Sequence, residues 1–363
     1  MYDATSLAVT ARLLEINPEV LTAWNFRREA LELAGRAPAG EAGDETSAGR
    51  ETRRDLASAT TPSPPFAPRL EDELALTERC LRKHPKSYAA WHHRKWCVTR
   101  LARDSNAPSS SVLSSSAVAS LLATELAMSQ TLLDLDDRNF HGWGYRRFVA
   151  ALLRARGGSP PRAEGDGAED NDDRDGRKAS ALEELRYSEA KIERNFSNYS
   201  AWHHRAEHLP RAFEENEAAR AARDGIQPGR EEKAGAREKT SSRVPDPVLA
   251  REYAFVRQAF FTEPEDQAGW MYHRWLTAQT ARRRGEDSAA AAAASAVFAG
   301  EADALAELCD LEPDCKWPVL TLARLRDLEG TEAGAVESAR RFTQLARLDP
   351  TRRGFYCDCG GRA

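Results

Sequence analysis

The sequence predicts an all-α protein, a right-handed α–α superhelix of helical hairpins interrupted by disordered loops. Three observations carry this prediction. A tryptophan recurs at the same place in five similar segments, an amphipathic stretch precedes each one, and low-complexity sequence fills the irregular gaps between them. Repeats at intervals of tens of residues mark units that cannot bury an apolar face alone and therefore stack.

The five segments are INPEVLTAWNFRRE (Trp24), KHPKSYAAWHHRKW (Trp91), DDRNFHGWGYRRFV (Trp143), RNFSNYSAWHHRAE (Trp202) and TEPEDQAGWMYHRW (Trp270). A sixth, weaker copy, LEPDCKWPVLTLAR, centres on Trp317, and ARLDPTRRGFY at 346–356 reads as the start of a seventh. In each copy an amphipathic helix comes first, as in EDELALTERCLRK and VLAREYAFVRQAFF. It stops at a short polar turn, often at a proline: Asn17-Pro18, His84-Pro85, Glu263-Pro264, Glu312-Pro313. Proline suits the first turn of a new helix and not the interior of the old one. The second helix carries the tryptophan, which makes each copy a tetratricopeptide-like hairpin.

An arginine follows the tryptophan by three residues in four copies: Arg27, Arg94, Arg146 and Arg205. In the fifth, His273 takes that place and Arg274 follows. Three residues is nearly one helical turn, so ring and guanidinium share a face. The expected role is structural. The indoles fill space between layers, while the arginines, Arg274 among them, donate to carbonyls at neighbouring helix ends. Phosphate binding by these arginines is the competing reading.

The tryptophans are 67, 52, 59 and 68 residues apart, more than the roughly 34 of a tetratricopeptide repeat. Insertions at 35–69, 104–116, 154–180, 214–245 and 281–300 account for much of the excess. Their Gly, Ser, Pro and charged residues cannot sustain a packed core. The Ala-rich 281–300 is the exception, because alanine favours helix. No insertion reads as a separate domain, so 1–363 is expected to be a single helical-repeat domain.

Composition narrows the function. The chain is 41% hydrophobic with a net charge of -5 and a mean hydropathy of -0.63. Such a balance offers no basic surface for nucleic acid. The longest apolar run, AAAAASAVFA, is too short to span a bilayer. MYDATSLAVTARLLEI reads as a helix, not a signal peptide. Six cysteines without a C-x-x-C pair fit reduced thiols in a cytoplasmic protein, and the terminal C-D-C lacks partner ligands. His204 and His208 have the i,i+4 spacing of a zinc pair, but no full ligand set is read around them. No metal site is therefore expected in this chain.

The repeated x-x-W-x-x-R pattern after a polar turn resembles the protein prenyltransferase α-subunit family. PKSYAAWHHR, RNFHGWGYRRFVA, RNFSNYSAWHHR, EPEDQAGWMYHRWL and LEPDCKW are similar, within that family, to the type II (Rab geranylgeranyltransferase) branch. The resemblance runs from Ala4 to about Tyr356. It implies a crescent of hairpins wrapping a β subunit that holds zinc, the isoprenoid pocket and most substrate contacts. It also implies activity only as a heterodimer, on Rab GTPases presented by an escort protein, with geranylgeranyl diphosphate at the subunit interface. Animal relatives carry an immunoglobulin-like domain between the fifth and sixth repeats and leucine-rich repeats at the C-terminus. Here 277–303 separate those repeats, and no L-x-x-L-x-L pattern follows Asp349-Pro350, so a minimal form is expected.

Two turns are implied to reach the chemistry. The family's diphosphate-contacting lysine falls on Lys86 and its neighbouring tyrosine on Tyr88; Asn139 and His141 match the substrate-facing positions of the third repeat. Prenyl transfer to a thiolate expels diphosphate, and a preplaced ammonium stabilises the charge that builds on the leaving oxygens. Two other readings compete. One is the α subunit shared by farnesyltransferase and type I geranylgeranyltransferase; the other is a non-catalytic helical-repeat adaptor.

Overall fold

The computed structural model describes residues 2–34, 69–104, 115–156, 176–223, 244–283 and 288–361. Among these residues every regular element is helical. In chain order they are α1 (Ala4–Ile16), α2 (Leu21–Ala34), α3 (Leu70–Lys83), α4 (Tyr88–Asp104), α5 (Ser115–Leu135), α6 (Phe140–Arg156) and α7 (Gly176–Arg194). Then come α8 (Tyr199–Arg223), α9 (Asp246–Thr262), α10 (Gln267–Arg282), α11 (Ser288–Leu311), α12 (Lys316–Glu329), α13 (Glu332–Leu348), a 3-10 turn (Pro350–Arg352) and α14 (Arg353–Gly360).

The turns between paired helices are all one length: 17–20, 84–87, 136–139, 195–198, 263–266, 312–315 and 349–352, four residues each. In six of them the fourth amide donates to the first carbonyl, at 3.0–3.2 Å, as from Ser87 to His84 and from Arg352 to Asp349. Extra chain enters only between hairpins. The expected insertions at 35–69, 104–116, 154–180 and 214–245 lie largely outside the described residues, although α6, α7 and α8 extend into the last two.

At 281–300 the described residues are largely helical, in line with the exception made for this Ala-rich stretch. Residues 288–300 are the first half of α11, with Ala290, Ala294 and Phe298 buried, as the helix preference of alanine dictates. Only 283–287 separate α10 from α11, too few for an intervening domain. By length and composition α11 could cross a membrane, with a mean hydropathy of 1.2. Its buried Glu301, paired with His273 and Arg257, instead identifies it as a packed helix of the sixth hairpin.

The chain groups into two compact units: residues 1–135 with 144–149, and residues 136–143 with 150–363. In the first, α1 packs on α2, α3 on α4, and the hairpins meet through α1–α3 and α2–α4. In the second, α7/α8, α9/α10, α11/α12 and α13/α14 are hairpins, with α10 lying against both α8 and α12. Gly269 permits a close approach of α10 to α9: a Cβ would stand 3.3 Å from the Ala259 Cβ, and Trp270 stacks on Phe260 at 4.3 Å. Gly330, at φ 69°, ends α12 in the left-handed conformation that glycine adopts without strain.

Candidate functional site

The tryptophans do more than fill space. Each indole N–H donates to the carbonyl six residues earlier, inside the turn: Trp24 to Pro18, Trp91 to Pro85, Trp143 to Asp137, Trp202 to Phe196 and Trp270 to Pro264, all at 2.8 Å. The prolines therefore sit in the turn, three residues before the second helix begins, and not in its first turn. The same frame corrects the sixth repeat. Six residues after Pro313 comes Val319, fully buried, whereas Trp317 is only half-buried at the start of α12. In the seventh, the corresponding residue is the buried Tyr356, which donates to Asp349 at 3.1 Å.

The arginines bind carboxylates first and carbonyls second. Arg27 clamps Glu73 of the next hairpin through Nε and Nη2 at 2.6–3.1 Å, while its Nη1 reaches the Leu7 carbonyl at 2.6 Å. Arg94 treats Glu125 and the Leu74 carbonyl alike, and Arg205 does so with Glu252 and the Leu185 carbonyl. Those carbonyls belong to helix interiors, not helix ends as expected, and a carbonyl oxygen has a second lone pair to offer. Arg146 is likewise buried. In the fifth repeat it is His273 that reaches Glu301, at 3.0 Å, while Arg274 is exposed and takes no part.

Four buried carboxylates also meet a ring of their own hairpin, in each case twenty residues later. The pairs are Glu73–His93, Glu125–Tyr145, Glu184–His204 and Glu252–Tyr272, at 2.5–3.0 Å. Burial raises the pKa of Glu73, but hydrogen bonds from His93 and Arg27 outweigh it and hold the carboxyl below its ordinary range. Burial lowers the pKa of His93 further than Glu73 can raise it. The neutral ring donates from Nε2 to Glu73 and accepts at Nδ1 from Arg28. In this seam the guanidiniums of Arg27, Arg94 and Arg205 are buried and engaged by carboxylates.

The turns before the second helices offer different chemistry. Four residues before the tryptophan stand Ser87, Asn139, Asn198 and Asp266. Each side-chain oxygen accepts from amides of the helix that follows, as helix-capping residues do. Asn139, 2% exposed, is thus spent on the start of α6, where it holds the amides of His141 and Gly142. The flanking positions face outward. Lys86 is exposed, and Tyr88, Phe140 and Tyr199 keep 66%, 56% and 54% of their surface. His141 is half-buried, its ring against Phe140 at 3.9 Å. Lys86 and Tyr88 belong to the first compact unit, Asn139 and His141 to the second.

Away from these turns, Glu184, His204 and His208 lie buried together, with ligand atoms within 4.8 Å of one another. Sequence spacing along one helix missed this carboxylate, because Glu184 comes from α7 and the histidines from α8.

Hairpins closed by an indole in the turn and joined by arginine–glutamate seams define an α-helical repeat scaffold. Residues 70–101, 122–153, 181–207 and 249–280 match the protein prenyltransferase alpha subunit repeat. Four copies of the protein prenyltransferase α-subunit repeat thus recur along this chain. Among its relatives are proteins named geranylgeranyl transferase type-2 subunit alpha. The bovine one is 32% identical over 76% of this chain and 34% of its own length. The Saccharomyces cerevisiae one is 27% identical over 76% of this chain and 59% of its own. The Dictyostelium discoideum one is 28% identical over 98% of this chain and 83% of its own. The chain thus spans about a third of the length of the mammalian relatives it matches.

Proposed function

We propose that this chain is the α subunit of a cytoplasmic type II protein geranylgeranyltransferase, working as a heterodimer with a β subunit. The observation that carries the reading is similarity along 98% of the chain to a relative bearing the type-2 α-subunit name. In this reading the β subunit supplies the zinc and the isoprenoid pocket, and the substrates are C-terminal cysteines of Rab GTPases presented by an escort protein.

Lys86 supplies the chemistry of this chain. It stands exposed on the turn before α4, and the buried Ser87 cap and Trp91 indole fix the backbone on either side. An ammonium fixed in this way stabilises charge growing on the departing diphosphate oxygens without forming a bond to them. Tyr88, with most of its ring exposed, offers a hydroxyl donor and an apolar face to the same substrate. His141 is the substrate contact of the third repeat, and Asn139 is a positioning residue that sets its backbone.

Co-expression with candidate β subunits tests the reading. Geranylgeranyl transfer to a Rab–escort complex is the expected result. Transfer to a short CaaX peptide instead would reassign the chain to the farnesyltransferase and type I branch. Failure to form a complex with any β subunit would make it an adaptor.

A further inference from the structure

We propose that Glu184, His204 and His208 bind a zinc-class transition-metal ion inside the fourth hairpin, tying α7 to α8. The case begins with a break in the repeat. Six residues after each tryptophan a buried position faces the seam, occupied by Ala30, Cys97, Val149 and Leu276 in the other repeats. In the fourth it is His208, fully buried. A scaffold role asks only for an apolar residue there, so the imidazole needs another explanation.

Its hydrogen bonding supplies one. His208 Nδ1 lies 2.9 Å from the His204 carbonyl of its own helix, so that nitrogen carries the proton. Nε2 is then left with its lone pair, and this buried atom has no hydrogen-bond partner. A ring nitrogen tied to a backbone carbonyl, with the other left bare, is the usual state of a metal-binding histidine. One turn back, His204 stacks on it at 4.1 Å, and His204 Nε2 meets Glu184 at 2.7 Å. The ion would replace the proton shared by His204 and Glu184, giving the two-histidine, one-carboxylate set that suits zinc. Two imidazole nitrogens in the set favour an ion that bonds nitrogen over hard cations that take oxygen ligands. Such a site is separate from the zinc assigned above to the β subunit, and it does not depend on that assignment.

The test uses the full chain with surface thiols removed (Cys357→Ser, Cys359→Ser), titrated with zinc chloride and with cobalt chloride. One equivalent of each should bind, with cobalt showing the visible bands of a low-coordinate nitrogen and oxygen site. His208→Leu, which installs the residue of the fifth repeat, should weaken binding by more than about 100-fold, beyond the loss typical of outer-shell changes. Its helicity should be unchanged. Absence of saturable binding, or equal affinity in His208→Leu, overturns the proposal. Should His208→Leu fail to fold, Glu184→Gln read by the same titration decides between the same two outcomes.

Discussion

The turns of the second and fifth repeats share one backbone and differ in what they show to solvent. Both are four residues long, with a proline carbonyl accepting from the indole and a capping oxygen, from the buried Ser87 in one and the half-buried Asp266 in the other. Yet the residues flanking the cap are Lys86 and Tyr88 in the second, and Glu265 and Gln267 in the fifth. All four are exposed. Alternate residues of a single turn thus do separate jobs. The capping one holds the hairpin and must stay the same kind of residue; its neighbours are released from that constraint and can carry function.

The difference predicts a graded series. The largest effect belongs to the seam. Glu252→Ala leaves the buried Arg205 guanidinium without its carboxylate and Tyr272 without an acceptor, and should cost about 3–5 kcal/mol in urea unfolding. Next comes the turn itself. Trp270→Phe keeps most of the ring but takes the indole donor from the Pro264 carbonyl, leaving it only the weak Cys315 thiol, for about 1 kcal/mol.

A smaller, pH-dependent effect follows from His93. Burial depresses its pKa in the fold, so the unfolded chain takes up a proton that the folded chain refuses. Stability should therefore be complete above the ordinary histidine pKa of about 6.5 and fall below it, by about 1.4 kcal/mol per pH unit. The fall should continue until the folded ring itself titrates. Melts at stepped pH would show the slope, and His93→Gln, which cannot titrate, should remove that part of it. The smallest effect on stability is expected at Lys86→Glu, which gives the second turn the charge of the fifth. Its melting temperature should match that of the parent, and a substantial drop would show that the flanking positions also hold the fold.

The hairpins were legible in the sequence because the indole must reach a turn of fixed length, which locks five tryptophans into one register. Trp317 misled for the same reason: in the sixth repeat the turn kept its proline while Val319 took the buried place. The seam was harder to read. Arg27 and Glu73 are 46 residues apart, Arg94 and Glu125 are 31, and Arg205 and Glu252 are 47, because insertions of different length fall between hairpins. The constant interval of twenty from glutamate to histidine or tyrosine lies within a hairpin and was visible in principle. So was the capping role of Asn139, since serine, asparagine and aspartate at one repeat position are a helix-start signature. Lys86 and Tyr88 came from family resemblance; their exposure is what the fold adds.

The most direct test of the account is the single-turnover rate of prenyl transfer by a Lys86→Ala heterodimer. The account predicts a rate lowered at least about 10-fold, in keeping with loss of one preplaced charge-stabilising donor, with heterodimer yield and melting temperature unchanged. An unaltered rate would contradict it, and would leave this chain as scaffold alone.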